Sequence, residues 1–229
     1  YFSRPDSIIN NVSVYEYRKR LGEELAKETH IESDLVIPVP DSGVPASIGY
    51  AEKIKKTVEL GIIRNHYVGR TFIEPTQQIR SFGVKLKHNI NKSLVKNKSL
   101  ILIDDSLVRG TTSIKIIKML YDAGAKEVHL RIASPPIKYP DYYGVDTPNQ
   151  NELLASKLNM EEMRRFINAT TLQFLSIEGL YKSLGYEKRN SSYPQFTDHC
   201  FTGEYPVEPI DATDKDFMND QVSLMSSKY

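Results

Sequence analysis

Hydrophobic residues along this chain alternate between helical spacing and short apolar runs. Ser13 followed by Glu16 is the signature of a helix N-terminus, and apolar residues at helical spacing extend that helix to about Thr29. Short apolar runs, continuous or alternating, predict strands over 34–39, 58–63, 99–103, 127–133 and 172–175. The same reasoning predicts helices from Pro45 onwards, from Thr112 to Gly124, and over 151–156, 159–167 and 177–184.

Strands that alternate with helices predict an α/β fold, with a mainly parallel sheet flanked by helices. Residues 64–80 resist a regular assignment and are predicted to form a long loop. After Gly185 the chain becomes polar and irregular. We therefore expect one domain over residues 1–185, including a lead-in segment, and an irregular tail over 186–229 that is poorly packed from about Asp211.

The composition excludes several classes of protein. Lys and Arg number 30 against 29 Asp and Glu, so net charge gives no reason to expect binding to nucleic acid or to a membrane surface. No apolar run approaches the ~18 residues of a membrane span. Cys200 is the single cysteine, which excludes a disulfide framework. Tyr1 is preceded by neither an initiator methionine nor a signal-peptide core, which indicates a fragment or processed product and a cytoplasmic location.

The segment from Leu100 to Ser113 carries the most specific chemistry. An apolar strand leads into Asp104 and Asp105, and a hydroxyl-rich loop containing Gly110 then opens a helix. Backbone N–H groups at a helix N-terminus favour a phosphate, and a glycine lets the backbone approach it. Carboxylates repel phosphate but suit Mg²⁺ or sugar hydroxyls. The segment therefore predicts a site for a phosphorylated sugar with vicinal hydroxyls.

Two alternatives stay open at this point. Taken alone, an acid pair followed by Gly-Thr-Thr could be a strand-end turn before a capped helix. The segment matches neither G-x-x-x-x-G-K-[ST] nor G-x-G-x-x-G, the common nucleotide-binding loops, so phosphate binding here would be of a different kind. The turn Asp41-Ser42-Gly43 follows the strand at 34–39 and would lie at the same sheet edge, where ligands of parallel sheets bind. An ordinary β-turn is the other interpretation of those three residues.

Three motifs, in this order, resemble the amidophosphoribosyltransferase family. They are YFSRPDS at 1–7, YVGRTFI at 67–73 and DDSLVRGTTS at 104–113, and the resemblance runs from Tyr1 to about Pro206. It implies a type I phosphoribosyltransferase fold that acts on phosphoribosyl pyrophosphate (PRPP). Only the phosphoribosyltransferase part of the family is matched, because its glutaminase domain, with an N-terminal cysteine, has no counterpart in these residues.

The resemblance also implies roles for particular residues. Asp104 and Asp105 would hold the ribose hydroxyls and, with Ser42, the Mg²⁺ ion. The pyrophosphate loop would consist of Asp41, Ser42 and Gly43. The cradle of the 5-phosphate would consist of Ser106, Val108, Arg109, Gly110, Thr111 and Thr112. Arg64, Tyr67 and Arg70 would act at the transition state, from a loop that closes over PRPP and excludes water. Arg80 is a further candidate donor, and His66 is expected to be a surface residue.

The activity implied is transfer of phosphoribose from PRPP to ammonia, which gives 5-phosphoribosylamine and pyrophosphate, the first step of purine biosynthesis. Use of glutamine would need a glutaminase domain or partner, and the family implies a homo-oligomer. The alternatives are a nucleobase phosphoribosyltransferase and a non-catalytic protein that senses PRPP.

One branch of the family holds an iron–sulfur cluster with four cysteines. Asp141 stands where that branch has one of them, and no C-x-x-C lies between Ser192 and His199. A single thiolate cannot hold such a cluster, so we predict none. Cys200, beside His199, is expected to be a structural residue rather than a nucleophile.

Overall fold

The computed structural model describes residues 3–65, 88–145, 147, 149–192 and 194–207. The strands are β1 (Ile8–Ile9), β2 (Val12–Ser13), β3 (Leu35–Pro38), β4 (Ile62–Arg64), β5 (His88–Ile90), β6 (Ser99–Asp104), β7 (Glu127–Ile132) and β8 (Thr171–Phe174). The helices are α1 (Val14–Thr29), α2 (Val44–Lys53), α3 (Lys92–Val95), α4 (Thr111–Asp122), α5 (Leu154–Lys157), α6 (Met160–Ile167), α7 (Ile177–Lys182) and α8 (His199–Thr202), with a 3₁₀ turn at Gln150–Glu152. Within these ranges, no helix has both the length and the apolar character needed to cross a membrane.

A four-stranded parallel sheet in the order β3-β6-β7-β8 forms the centre of the fold, as predicted. Both of its faces are buried. On β6, Leu100 and Leu102 pack with helix α4, whereas Ile101 and Ile103 pack on the opposite side with α1 and α2. A strand covered on both faces is continuously apolar, which explains why the sequence pattern located β6 so closely.

Helices α1 and α2 pack against one another through their backbones. A Cβ atom at Gly22 would lie 1.8 Å from the carbonyl oxygen of Ala46, and one at Gly49 would lie 1.9 Å from that of Lys19. Each glycine is thus required by the close approach of the other helix. This contact fixes α1 and α2 as one layer over the sheet edge that carries β3.

The predicted strand at 58–63 differs from the structure. Val58 makes an isolated parallel bridge with Val36, and the strand proper, β4, pairs antiparallel with β5 outside the main sheet. The chain leaves the sheet at Gly61, which packs so tightly on Ile37 that a Cβ would lie 2.4 Å from its side chain. Residues 66–87, which include most of the predicted loop, lie outside the described residues.

The segment predicted to be an irregular tail contains the short helix α8. Cys200 and Phe201 are buried against the sheet and helices α1 and α2. The Asp198 carboxylate, also buried, accepts hydrogen bonds from Arg189 Nε at 2.6 Å and from the Tyr181 hydroxyl at 2.8 Å. These contacts attach Arg189 and the start of α8 to helix α7. The expected poorly packed stretch from Asp211 lies outside the described residues.

His129, buried on β7, makes the stability of the fold depend on pH. Its ring nitrogens lie 3.1 Å from the Ser99 hydroxyl and 3.0 Å from the Thr171 hydroxyl. Burial, and secondarily the charge of Arg131, lower the pKa of His129 below its ordinary 6.5. As pH falls below 6.5, His129 becomes protonated in the unfolded chain but stays neutral in the folded one. The free energy of unfolding therefore decreases as pH falls.

We therefore expect the melting temperature of the wild type to fall more steeply between pH 7.5 and 5.5 than that of a His129→Asn variant. The difference between the two pH slopes isolates His129 from all other titrating groups. Thermal unfolding followed by circular dichroism measures both slopes, and equal slopes would contradict the expectation.

Candidate active site

Two loops meet at the carboxyl edge of the sheet. Because β3 and β6 are parallel neighbours, with Pro38 opposite Ile103, the turn after β3 and the acid pair after β6 emerge side by side. The Ser42 hydroxyl donates a hydrogen bond to Asp104 Oδ1 at 3.1 Å. A cleft of about 320 Å³ opens between the loops. It is lined by Val39, Pro40, Ser42, His88 and the continuous segment 104–113.

Asp104, the first residue of the acid pair, lies in an environment that disfavours its negative charge. Asp104 is buried, and this burial, together with the neighbouring Asp105 carboxylate, raises the pKa of Asp104 to about 8. Asp105 lies nearer the surface, and its Oδ1 accepts a hydrogen bond from the Ser106 hydroxyl at 2.9 Å. Two adjacent carboxylates and the Ser42 hydroxyl are hard oxygen donors, a set that fits a Mg²⁺ ion completed by substrate phosphates.

Helix α4 begins at the opposite side of the cleft. Its N-cap, Gly110, has the left-handed φ of 74°, and it offers no side chain to cap the helix. The first-turn residues Thr111, Thr112 and Ser113 line the cleft. The N-terminal end of a twelve-residue helix therefore faces the acid pair across a space large enough for a phosphate group.

The loop 106–110, between β6 and α4, is anchored from outside the cleft. The Arg109 guanidinium pairs with the Glu152 carboxylate at 2.5 Å, so this side chain is directed to the 3₁₀ turn. The Val108 carbonyl accepts a hydrogen bond from the Leu154 N–H at 2.8 Å. Val108 and Arg109, both predicted to bind substrate, thus hold the loop in place through these contacts.

The turn after β3 is packed tightly against β6. The Pro40–Asp41 peptide bond is cis. A Cβ atom at Gly43 would lie 2.3 Å from the Ile103 carbonyl oxygen. The Asp41 carboxylate pairs with the Arg64 guanidinium at the end of β4. The predicted residues Tyr67 and Arg70, like His66 and Arg80, lie outside the described residues.

Two residues of the site were missed by sequence reasoning. Arg18 of α1 is buried beside Ser42 and Asp105. His88 pairs with Arg64 across the β4–β5 hairpin and lines the cleft. Arg18 stands in a basic stretch of a helix and His88 in a lysine-rich segment, and charged stretches of this kind are typical of exposed positions. No local pattern distinguishes them.

The Asp141 carboxylate contacts the buried His199 ring, with Oδ2 2.7 Å from Nε2. Burial raises the pKa of Asp141, but hydrogen bonds from the Val145 and Tyr143 N–H groups and from His199 outweigh it and leave that pKa below its ordinary value. Burial raises the pKa of Cys200 to about 11, so its thiol is protonated at neutral pH and is a poor nucleophile. These residues act as a structural anchor for α8.

Known proteins match this chain over nearly all its length. No family model matches it. The amidophosphoribosyltransferase of Rhizobium etli is 54% identical over 228 residues, which are 99% of this chain and 46% of that protein. The amidophosphoribosyltransferase of Bacillus subtilis is 50% identical over 208 residues, 91% of this chain and 44% of that protein. The chain therefore spans about half the length of the curated relatives it matches.

A solved structure supports the same relationship. The glutamine PRPP amidotransferase of B. subtilis, complexed with ADP and GMP, aligns with a TM-score of 0.81 at 50% identity. The alignment covers 91% of this chain and 46% of that chain.

The parallel sheet with flanking helices and the likeness to this solved structure show that the chain has a type I phosphoribosyltransferase fold. More narrowly, the chain corresponds to the C-terminal part of the amidophosphoribosyltransferases. The resemblance drawn from the three sequence motifs is thereby confirmed.

Proposed function

We propose that this chain transfers the phosphoribosyl group of PRPP to ammonia, which gives 5-phosphoribosylamine and pyrophosphate. The observation that carries the proposal is the single cleft in which the acid pair, the N-terminus of α4 and the turn after β3 meet. These three features match the three parts of PRPP: ribose hydroxyls, 5-phosphate and pyrophosphate. The relatives named amidophosphoribosyltransferase favour ammonia as the acceptor over a nucleobase.

Each part of the cleft has a distinct task in this reaction. The 5-phosphate is bound by backbone N–H groups of α4 and by the Thr111 and Thr112 hydroxyls. Asp104 and Asp105 orient the ribose, and Ser42 completes their side of the Mg²⁺ site. Mg²⁺, when bound, neutralises the departing pyrophosphate.

Positive charge beside the leaving group stabilises the transition state. Arg64 pairs with Asp41 in the turn after β3, and this contact supports a role for its guanidinium beside the pyrophosphate. Charge preorganised in a site of this kind acts most strongly where water is excluded. Tyr67 and Arg70 belong to the same proposal on the strength of the sequence motif alone.

The nitrogen source and the assembly are also part of the proposal. The relatives are about twice as long as the matched region. The family resemblance implies that use of glutamine needs a glutaminase domain or partner in addition to these residues. We further expect a homo-oligomer located in the cytoplasm, without nucleic acid or membrane as a partner.

Ammonium should support PRPP-dependent release of pyrophosphate in the presence of Mg²⁺, whereas glutamine should not support it with the 229 residues alone. A coupled pyrophosphate assay, with EDTA as a control, compares the two nitrogen sources. Release with purine bases but not with ammonium would indicate a nucleobase phosphoribosyltransferase. Binding of PRPP without release from any acceptor would indicate a sensor of PRPP.

A further inference from the structure

Arg18 is a buried guanidinium whose contacts lead to the active site. It lies on α1, with 6% of its surface exposed. Burial of a guanidinium is costly unless hydrogen bonds and opposite charge compensate for it. Its Nη1 lies 3.4 Å from the Ser42 carbonyl oxygen and 3.9 Å from Asp105 Oδ2, and its Nη2 donates to the Ser3 carbonyl oxygen at 2.8 Å.

Both members of the acid pair are connected to this one side chain. Arg18 faces the Asp105 carboxylate directly. It reaches Asp104 indirectly, because it holds the carbonyl of Ser42, whose hydroxyl donates to Asp104 Oδ1. A positive charge beside Asp105 also offsets part of the repulsion between the two adjacent carboxylates.

The Ser3 contact adds a third segment to this arrangement. The lead-in segment, the turn after β3 and the end of β6 are far apart in sequence, and Arg18 contacts all three. Planar guanidinium groups suit such a role, because their donors point in several fixed directions. A lysine has one ammonium group and cannot reproduce this set of contacts.

We propose that Arg18 is a positioning residue, which sets the turn after β3 and the acid pair in the geometry that binds Mg·PRPP. This inference rests on the proposed function of the cleft. Arg18 touches the loop residues rather than the reacting atoms, so its contribution lies in preparing the site before substrate arrives. Without the Arg18 side chain, the turn and Asp105 must become ordered when Mg·PRPP binds. The free energy spent on this ordering lowers the affinity for Mg·PRPP.

The test compares Arg18→Met, Arg18→Lys and, as a matched control on the same helix, the exposed Arg20→Met. Isothermal titration with Mg·PRPP gives Kd, steady-state kinetics give KM and kcat, and thermal unfolding gives stability. For Arg18→Met we expect Kd and KM to rise roughly tenfold or more, in line with the loss of charged hydrogen bonds. We expect kcat to change by less than about threefold.

Arg18→Lys should recover part of the affinity, because it keeps the charge near Asp105, and Arg20→Met should match the wild type. A folded Arg18→Met protein with wild-type Kd overturns the proposal, as does a fall in kcat with unchanged KM. If Arg18→Met does not fold, Arg18→Lys decides: raised Kd and KM support the proposal, and wild-type values overturn it. Failure of the wild type itself to bind Mg·PRPP would overturn the proposed function and this inference together.

Discussion

Replacement of both Asp104 and Asp105 by asparagine is expected to abolish pyrophosphate release, with a loss on the order of 10³-fold or more. The substitution removes the two carboxyl groups that, once ionised, would hold Mg²⁺ and orient the ribose. The fold should persist, because an amide oxygen at position 104 can still accept hydrogen bonds from the Ser42 hydroxyl and the backbone N–H of residue 105.

The same variant should be more stable than the wild type at pH 8 in the absence of ligand. Because the folded-state pKa of Asp104 is raised, the native protein binds a proton that the unfolded chain has lost, and stability decreases as pH rises towards about 8. An asparagine does not titrate, so the difference in stability between the variant and the wild type should grow as pH rises from 6 to 8. A gain in stability accompanied by loss of turnover would show that charge is kept here for function.

Ammonium-dependent turnover and thermal unfolding at pH 6 and pH 8 measure both effects. Asp122→Asn, whose side chain is 62% exposed at the end of α4, serves as the matched control and should behave as the wild type. Turnover of the double variant within about tenfold of the wild type would exclude the acid pair from the mechanism.

Much of the fold follows from local sequence patterns. The continuous apolar run of β6 is required by burial on both faces, and it ends at Ile103, one residue before the strand ends at Asp104. Parallel pairing then brings the turn after β3 to the same edge, as the alternation of strands and helices predicts. From the sequence alone, the acid pair and the turn after β3 could therefore be predicted to lie at the same edge of the sheet.

The remaining features depend on contacts between distant segments. Arg18 reaches the site because Gly22 and Gly49 let α1 and α2 approach backbone to backbone, and no pattern within one helix reveals such an approach. β4 pairs with β5 outside the main sheet, and Gly61, just before it, packs closely on Ile37. The pairing of Asp141 with His199 joins residues 58 positions apart. Periodicity reports which face of an element is apolar, but it does not report which partner that face meets.

A single added methyl group at Gly43 is expected to damage both the fold and the site. Gly43 has an ordinary φ of −78°, which any residue can adopt. A glycine is needed here because there is no space for a side chain. Its Cβ would lie 2.3 Å from the Ile103 carbonyl oxygen and 3.1 Å from that of Val39, and these are backbone atoms that cannot rotate away. The turn after β3 must therefore shift and carry the Ser42 hydroxyl away from Asp104.

For Gly43→Ala we expect the free energy of unfolding to fall by about 1–3 kcal/mol, as in other overpacked sites. We expect kcat/KM for PRPP to fall on the order of 10²-fold, because displacements of about 1 Å in a positioning loop have effects of that size. Urea unfolding and ammonium-dependent kinetics measure the two quantities.

Gly185→Ala is the matched control, because its Cβ would meet nothing within 4 Å although its φ is 88°. It should cost about 1 kcal/mol of stability through backbone strain and leave kcat/KM unchanged. If Gly43→Ala loses stability like this control but keeps wild-type kcat/KM, the turn after β3 does not contact the substrate in the way proposed. If Gly43→Ala loses both stability and kcat/KM while Gly185→Ala loses stability only, the close packing of this turn on β6 is what aligns Ser42 with the acid pair.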